Sequence, residues 1–278
     1  MFETNASTSV RRPILMVVVG RQRVGKTTVV NTIIQKVRDG GGDLKTWNAD
    51  VNNTSYNLGM FYDDVLSPGS SNAHDVRTWL EMRLQDQILR RYDTVLDVGG
   101  GDTPFTKLIE ELPFIEELEA DGILVVVVHV VGPEQADVDY LQAFASAGVL
   151  EAKATLILLN GGLVMGGKSI APAFKGIMEH PAIVAATVKG AKVLTFPPLS
   201  CMSEVTDRKL TFREAAIGVV KDGMPPMMRF DRTRVRLWFD KSVPEFMAKI
   251  PPLWLPETMP APAHVADAGE PELGFAAE

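Results

Sequence analysis

The residues Gly20-Arg21-Gln22-Arg23-Val24-Gly25-Lys26-Thr27 have the types and spacing G-x-x-x-x-G-K-T that cradle phosphate. Such a loop turns its backbone N–H groups inward, and the positive end of the helix that follows adds to their pull on an anion. Lys26 would reach the outer phosphates of a nucleotide, the Thr27 hydroxyl would ligate Mg²⁺, and Thr28 would continue the cradle into the helix.

Other residues offer complementary chemistry. Asp97 closes the apolar run Val95-Leu96, where a carboxylate is the expected outer ligand of the Mg²⁺ hydration shell. Gly99, Gly100 and Gly101 after it let backbone approach a terminal phosphate, or form a plain flexible turn. Asp50 opens the polar loop after the second apolar run. It is placed to orient an attacking water, or to cap a turn through its side chain. Asn160 ends another run, and its amide offers a donor and an acceptor to a base edge, while Asn160-Gly161 is equally a turn pair. Phe196-Pro197-Pro198 offers apolar surface to flank the base. His74, His129 and His180 lack metal-ligand spacing, and His129 within an apolar run reads as a satisfied core histidine. Cys201 reads as packing.

The elements that must position these groups follow from periodicity. Short apolar runs at Ile14–Val19, Leu44–Ala49, Thr94–Val98, Ile123–Val131, Thr155–Leu159 and Val193–Phe196 read as strands. Between them lie helical patterns over about 28–37, 75–91, 104–118, 134–147 and 171–179, and a further helix is expected over 209–220. Pro244 must start or break a helix in the segment 233–250. Strict alternation predicts an α/β fold with a mostly parallel sheet flanked by helices on both faces, with ligands beyond the carboxyl ends of the strands. Residues 1–12 are expected to be a flexible N-terminus and 13–250 a single domain. The segment 251–278, rich in Pro, Ala and Glu, is expected to be a disordered tail.

The 278 residues are 46% hydrophobic and 23% charged, the balance of a globular chain with a core of useful size. A net charge of −7 argues against a chain built as a whole for nucleic acid. Locally, Arg229, Arg232, Arg234 and Arg236 cluster with Phe230, Trp238 and Phe239, which reads either as a phosphate-backbone surface or as a solvated helix face paired with Asp231 and Asp240. A single cysteine excludes an internal disulfide framework and fits a cytoplasmic location. No signal-peptide core or membrane anchor is evident.

The chain over 13–220 resembles the ParA/MinD deviant-Walker ATPases, P-loop NTPases that include plasmid and chromosome partition ATPases. Arg21 to Thr28 stand where that group resembles K-G-G-x-G-K-[ST]-[ST], Asn48-Ala49-Asp50-Val51-Asn52 where it resembles D-x-D-P-Q, and Asp97 at its third-strand aspartate. The resemblance implies ATP and Mg²⁺ as cofactors, Asp50 as the residue that handles the hydrolytic water, and Pro197 and Pro198 in the base-side loop. It also implies an ATP-linked homodimer and DNA or a DNA-bound adaptor as partner, in partition, plasmid stability or conjugative transfer. Arg21 replaces the signature lysine that reaches the partner subunit's nucleotide, Gln22 and Arg23 replace glycines, and Asn48 replaces an aspartate. Two other functions fit the same loop. One is a metabolic P-loop enzyme similar to dethiobiotin synthetase. The other is a nucleotide-binding module with weak hydrolysis.

Overall fold

The apolar run Ile14–Val19 is the central strand, β1, and all six of its residues are buried. A computed structural model describes residues 11–51, 53, 57–99, 103–147, 152–164 and 168–257. Five more strands follow: β2 (Leu44–Asn48), β3 (Asp93–Asp97), β4 (Leu124–Val131), β5 (Ala154–Asn160) and β6 (Lys192–Phe196). They form one six-stranded sheet in the order β2-β3-β1-β4-β5-β6. Every pairing is parallel, with Val17 opposite both Leu96 and Val127. A strand paired on both edges and covered on both faces has no place for a polar residue, which is why β1 reads as unbroken Ile, Leu, Met and Val.

Helices return the chain from each strand to the next: α1 (Lys26–Asp39), α2 (Ala73–Arg90), α3 (Thr103–Glu111), α4 (Phe114–Ala120), α5 (Gln135–Ala147), α6 (Ile170–Ala173), α7 (Lys175–Met178) and α8 (Pro181–Val188). After β6 come α9 (Met202–Asp207), α10 (Phe212–Ile217), α11 (Arg229–Leu237) and α12 (Val243–Met247). Side chains alternate across β1. Ile14, Met16 and Val18 meet Val30, Ile33 and Ile34 of α1 together with Phe212, Val235 and Phe246. Leu15, Val17 and Val19 meet Leu80, Phe105 and Leu118. Over β4 and β5 the second face is completed by Leu141, Phe174, Ile177 and Ile183. Helices thus cover both faces, as the alternation of elements predicts.

Several boundaries differ from the sequence expectation, each for a local reason. The helix expected over 104–118 is two helices, because Pro113 cannot donate a backbone hydrogen bond and stands as the N-cap of α4. The helix expected over 171–179 is only the two short turns α6 and α7, and α8 after it has Pro181 in its first turn. The helix expected over 209–220 begins late. Lys209 has a left-handed φ of 51°, and α10 starts at a capping box between Thr211 and Glu214. Pro244 starts α12 after a π-helical turn, Trp238–Ser242, in which the Val243 N–H donates to the Trp238 carbonyl five residues back.

The contacts of the domain extend past both expected ends. Arg11 donates to Asp93 (2.9 Å) and to the Leu255 carbonyl (2.9 Å). The Glu257 N–H donates to Asp93 as well (2.7 Å), and a Cβ on Gly42 would stand 2.2 Å from the Glu257 carbonyl oxygen. Residues 251–257, expected in the tail, therefore pack beneath the amino ends of β1 and β3, while 1–10 and 258–278 lie outside the described residues. Asp93 also accepts the Ile14 N–H at 2.9 Å, a buried bond that anchors the start of β1. Asp93→Ala strands that donor in the core and should lower unfolding stability by about 2–3 kcal/mol in urea denaturation. A change below about 0.5 kcal/mol would show that this carboxylate tie carries no stability.

Candidate functional site

The loops after β1, β2, β5 and β6 open on one cavity of about 690 Å³ at the carboxyl end of the sheet. The Gly20–Thr27 loop forms its floor. A Cβ at Gly20 would stand 2.5 Å from the Val130 carbonyl oxygen, so the loop can press against β4 only without a side chain there. Gly25, the N-cap of α1, has φ 93°, and a Cβ on it would stand 2.4 Å from Asn160 Nδ2. Among the described residues no side chain caps α1 and no acidic residue lies in its first turn, and the nearest carboxylate is Asp97, bonded to Thr27. Arg23 adopts a left-handed φ of 64°, which costs a non-glycine residue about 1–2 kcal/mol.

Lys26 is buried and folds back over the loop, donating to the carbonyls of Gly20 (3.0 Å) and Arg21 (3.1 Å). Burial pushes its pKa down, and the charges of Asp97 and Asp50 oppose that shift. Thr27 Oγ1 donates to Asp97 Oδ2 at 2.9 Å, while Asp97 Oδ1 is buried without a partner among the described residues. Burial pushes Asp97 up to about 7. Lys26 and the Thr27 hydrogen bond act against this, and Asp50 adds to it. A buried carboxylate with an idle oxygen beside a threonine hydroxyl suits a hydrated divalent cation. Among the described residues no group of three or more His, Cys, Asp or Glu could hold a metal. A cation here would therefore complete its shell with phosphate oxygens and water.

Asp50 and Asn53 enter the cavity from the loop after β2. Asn48 Oδ1 accepts the Asp50 N–H (3.2 Å), and Asn53 Nδ2 donates to Asp50 Oδ2 (3.4 Å). Asn48 thus braces the backbone that carries Asp50. A Cβ on Gly99 would stand 3.0 Å from Asp50 Oδ1, so glycine there leaves room for the carboxylate. Gly100, Gly101, Asp102 and Asn52 lie outside the described residues.

The remaining expected residues take different places. Asn160 lines the cavity, but both ends of its amide are engaged. Nδ2 donates to the Val24 carbonyl (2.7 Å) and Oδ1 accepts the Gly162 N–H (3.0 Å), so the residue clamps the Gly20–Thr27 loop. Arg21 is absent from the cavity lining. Its guanidinium pairs with Glu134 (2.9 Å) and Asp137 (3.1 Å) at the start of α5. Gln22, Arg23, Thr28 and Pro197 line the cavity, whereas Pro198 packs against Gly161. Ser203, Thr206 and Asp207 of α9 form a polar wall that no motif announces, because a helix of six residues is too short to show a period.

The arginine cluster is only partly a free surface. Arg232 donates to the Ala216 and Ile217 carbonyls at the end of α10, and Arg234 pairs with Asp231. Asp240 pairs with Arg213 from outside the cluster. Trp238 and Phe239 are buried, leaving Arg229, Arg236 and Phe230 exposed.

No family model matches the chain, and no curated protein matches it. Solved structures show a distant likeness. The first is the signal recognition particle receptor FtsY from Elizabethkingia anophelis in complex with GDP (14% identity, TM-score 0.41, 86% of this chain). This chain spans 66% of that one, just under two thirds of its length. The second is the cell division protein FtsY from Thermotoga maritima (16%, TM-score 0.43, 86% of this chain and 72% of that one). The third is the MinC:MinD cell division protein complex from Aquifex aeolicus (11%, TM-score 0.45, 82% and 96%). Likeness this remote assigns no role to any residue. Among the described residues no helix is long and apolar enough to cross a membrane.

A pKa raised in the folded state means that Asp97 holds a proton the unfolded chain has already released. Its contribution to stability is therefore full below about pH 4 and is lost as pH rises through about 7. Asp97→Asn keeps an acceptor for Thr27 and removes the charge. In thermal melts without divalent cations it should be more stable than the parent at pH 8, with the gain shrinking toward pH 5. An equal difference at both pH values would contradict the shift.

Proposed function

We propose that this chain is a Mg²⁺-dependent ATPase of the ParA/MinD type, working as a nucleotide-switched dimer in DNA or plasmid partition, plasmid stability or conjugative transfer. One observation carries the hydrolase reading. The glycine loop, Lys26, Thr27 and Asp50 line one cavity at the carboxyl ends of the strands, and Asp97 is hydrogen-bonded to Thr27 behind it. The reading of dimer and cargo rests on the sequence resemblance.

The uncapped first turn of α1 and the loop amides receive the phosphates. Lys26 exchanges its two carbonyl contacts for phosphate oxygens as the anion enters, gaining a charge partner in place of neutral acceptors. Thr27 and Asp97 would hold Mg²⁺, which would supply positive charge to offset that of the phosphoryl group. Asp50, braced by Asn48 and Asn53, orients the water. The purine lies toward Pro197 and the polar face of α9. For Arg21 to reach a second chain's nucleotide it must leave the exposed Glu134 and the buried Asp137, so the exchange strips a buried carboxylate of its cation and the incoming phosphate contact must offset that cost. Arg229, Arg236 and Phe230 are the part of the basic cluster left to meet DNA or an adaptor.

Turnover of ATP and GTP, together with light-scattering mass in ATP, tests this reading. Lys26→Ala should abolish hydrolysis. Asp50→Ala should keep nucleotide affinity within about threefold, lose about a hundredfold in rate, and accumulate dimer. Hydrolysis by Asp50→Ala at the parent rate would contradict its assigned role. A monomer in ATP would contradict the dimer.

A further inference from the structure

The cavity at the carboxyl end of the sheet is divided by chemistry. On the side of β1 and β2 its described lining carries the charges of Arg23, Lys26 and Asp50. On the side of β5 and β6 it is largely apolar, with Leu163, Phe196, Pro197, Leu199 and Met202. β6 is the third strand from β1 in the sheet, about 14 Å away. A nucleotide has the same division, an anionic chain at one end and a flat ring with a polar edge at the other. The ring therefore belongs in the apolar half, and its edge must find polar groups there.

Those groups are mostly acceptors. Asn160 is engaged by the Val24 carbonyl and the Gly162 N–H. Thr206 Oγ1 donates its hydrogen to the Met202 carbonyl (2.9 Å) and keeps only lone pairs for a ligand. Ser203 can donate or accept. Asp207 is a carboxylate, and among the described residues it is the one ionisable group in this half of the lining. Met165, Gly166 and Gly167, which follow Leu163 and Val164 in sequence and lie outside the described residues, carry no ionisable side chain.

Asp207 is exposed at the last position of α9, and no hydrogen bond or ion pair holds it among the described residues. The two cations that follow it turn elsewhere: Arg208 pairs with Glu204 (2.6 Å) and Lys209 with Asp222 (3.4 Å). A carboxylate at the carboxyl end of a helix also faces the negative end of the dipole. Its contacts therefore add nothing to the fold, while its place in the lining puts an acceptor within reach of a ligand.

On the nucleotide reading of this cavity, on which the assignment rests, we propose that Asp207 selects adenine by accepting a hydrogen bond from its six-amino group, so that ATP is preferred to ITP and GTP. Adenine presents an amine at that position, whereas guanine and hypoxanthine present a carbonyl oxygen. That oxygen would meet the Asp207 carboxylate and the Thr206 lone pairs, acceptor against acceptor, with no proton between them. A site built to bond a donor rejects the analogue that lacks it.

The test is competition of ATP, ITP and GTP against a ribose-labelled fluorescent ATP analogue on the full chain, with Mg²⁺ present. ATP should bind about tenfold more tightly than ITP, as expected of one hydrogen bond to a charged group at a site open to water. GTP should compete no better than ITP. Asp207→Ala should weaken ATP about fivefold and leave ITP unchanged, bringing the two within about twofold. Asp207→Asn should close the gap from the other side by tightening ITP, because its amide can donate to the carbonyl oxygen. Lys26→Ala should weaken all three alike and keep their ratio, since it acts at the phosphate end. ATP and ITP bound within about twofold by the parent, a tenfold ratio retained by Asp207→Ala, or GTP bound as tightly as ATP would overturn the role of Asp207 and leave the phosphate site standing. Failure of every nucleotide, the labelled one included, to bind at about 1 mM would overturn the nucleotide reading and this assignment with it.

Discussion

The site depends on a buried hydrogen bond between two loops distant in sequence, from Asn160 Nδ2 to the Val24 carbonyl. It reaches from the end of β5, across β4, to the loop that leaves β1. The bond fixes the peptide just before Gly25, and Gly25 must turn left-handed beneath an amide that leaves no room for a Cβ. Once that turn is set, α1 starts without a side-chain cap, and Lys26, Thr27 and Thr28 of its first turn line the cavity. The carboxyl-end position of the site, the glycines of the loop and the strand order around β1 all serve this one placement.

Charge is arranged around the same turn in a way that leaves the site unfinished by protein groups alone. Lys26 is buried and bonded only to carbonyls, Asp97 is buried with one idle oxygen, and burial disfavours the charged form of both. Fully satisfied polar networks add rigidity, whereas partly satisfied ones cost stability. Here the unsatisfied groups are those that an anion and a divalent cation would complete. The stability forgone in the core is thereby concentrated at one end of the sheet, while the opposite end is tied by Asp93 to Ile14, Arg11 and Glu257.

Much of this was legible in the sequence, for physical reasons that differ by element. The strands were clear because β1, β4 and β5 are buried on both faces, and only apolar runs survive there. The grouping of Lys26, Thr27, Asp50 and Asp97 at one end of the sheet was legible because the loops that leave parallel strands converge there. The role of Asn160 was not, since Asn-Gly reads as a turn and its partner Val24 lies 136 residues earlier. Arg21 drew attention as a free cation, but Glu134 and Asp137 are brought to it only by the β1–β4 pairing. Trp238 and Phe239 looked like part of a basic-aromatic surface because a helix broken by a π turn has no clean period, and both rings turn inward to Phe212. His129 misled because strand periodicity reports burial, whereas its buried Nδ1 has no hydrogen-bond partner among the described residues.

Hydrogen–deuterium exchange with a non-hydrolysable ATP analogue and Mg²⁺ tests the central claim most directly, because the account assigns phosphate binding to particular backbone N–H groups. Slowed exchange is predicted across 21–28 when both are present, with little change at α8. Exchange in 21–28 that is the same with and without the Mg²⁺–nucleotide would contradict the site described.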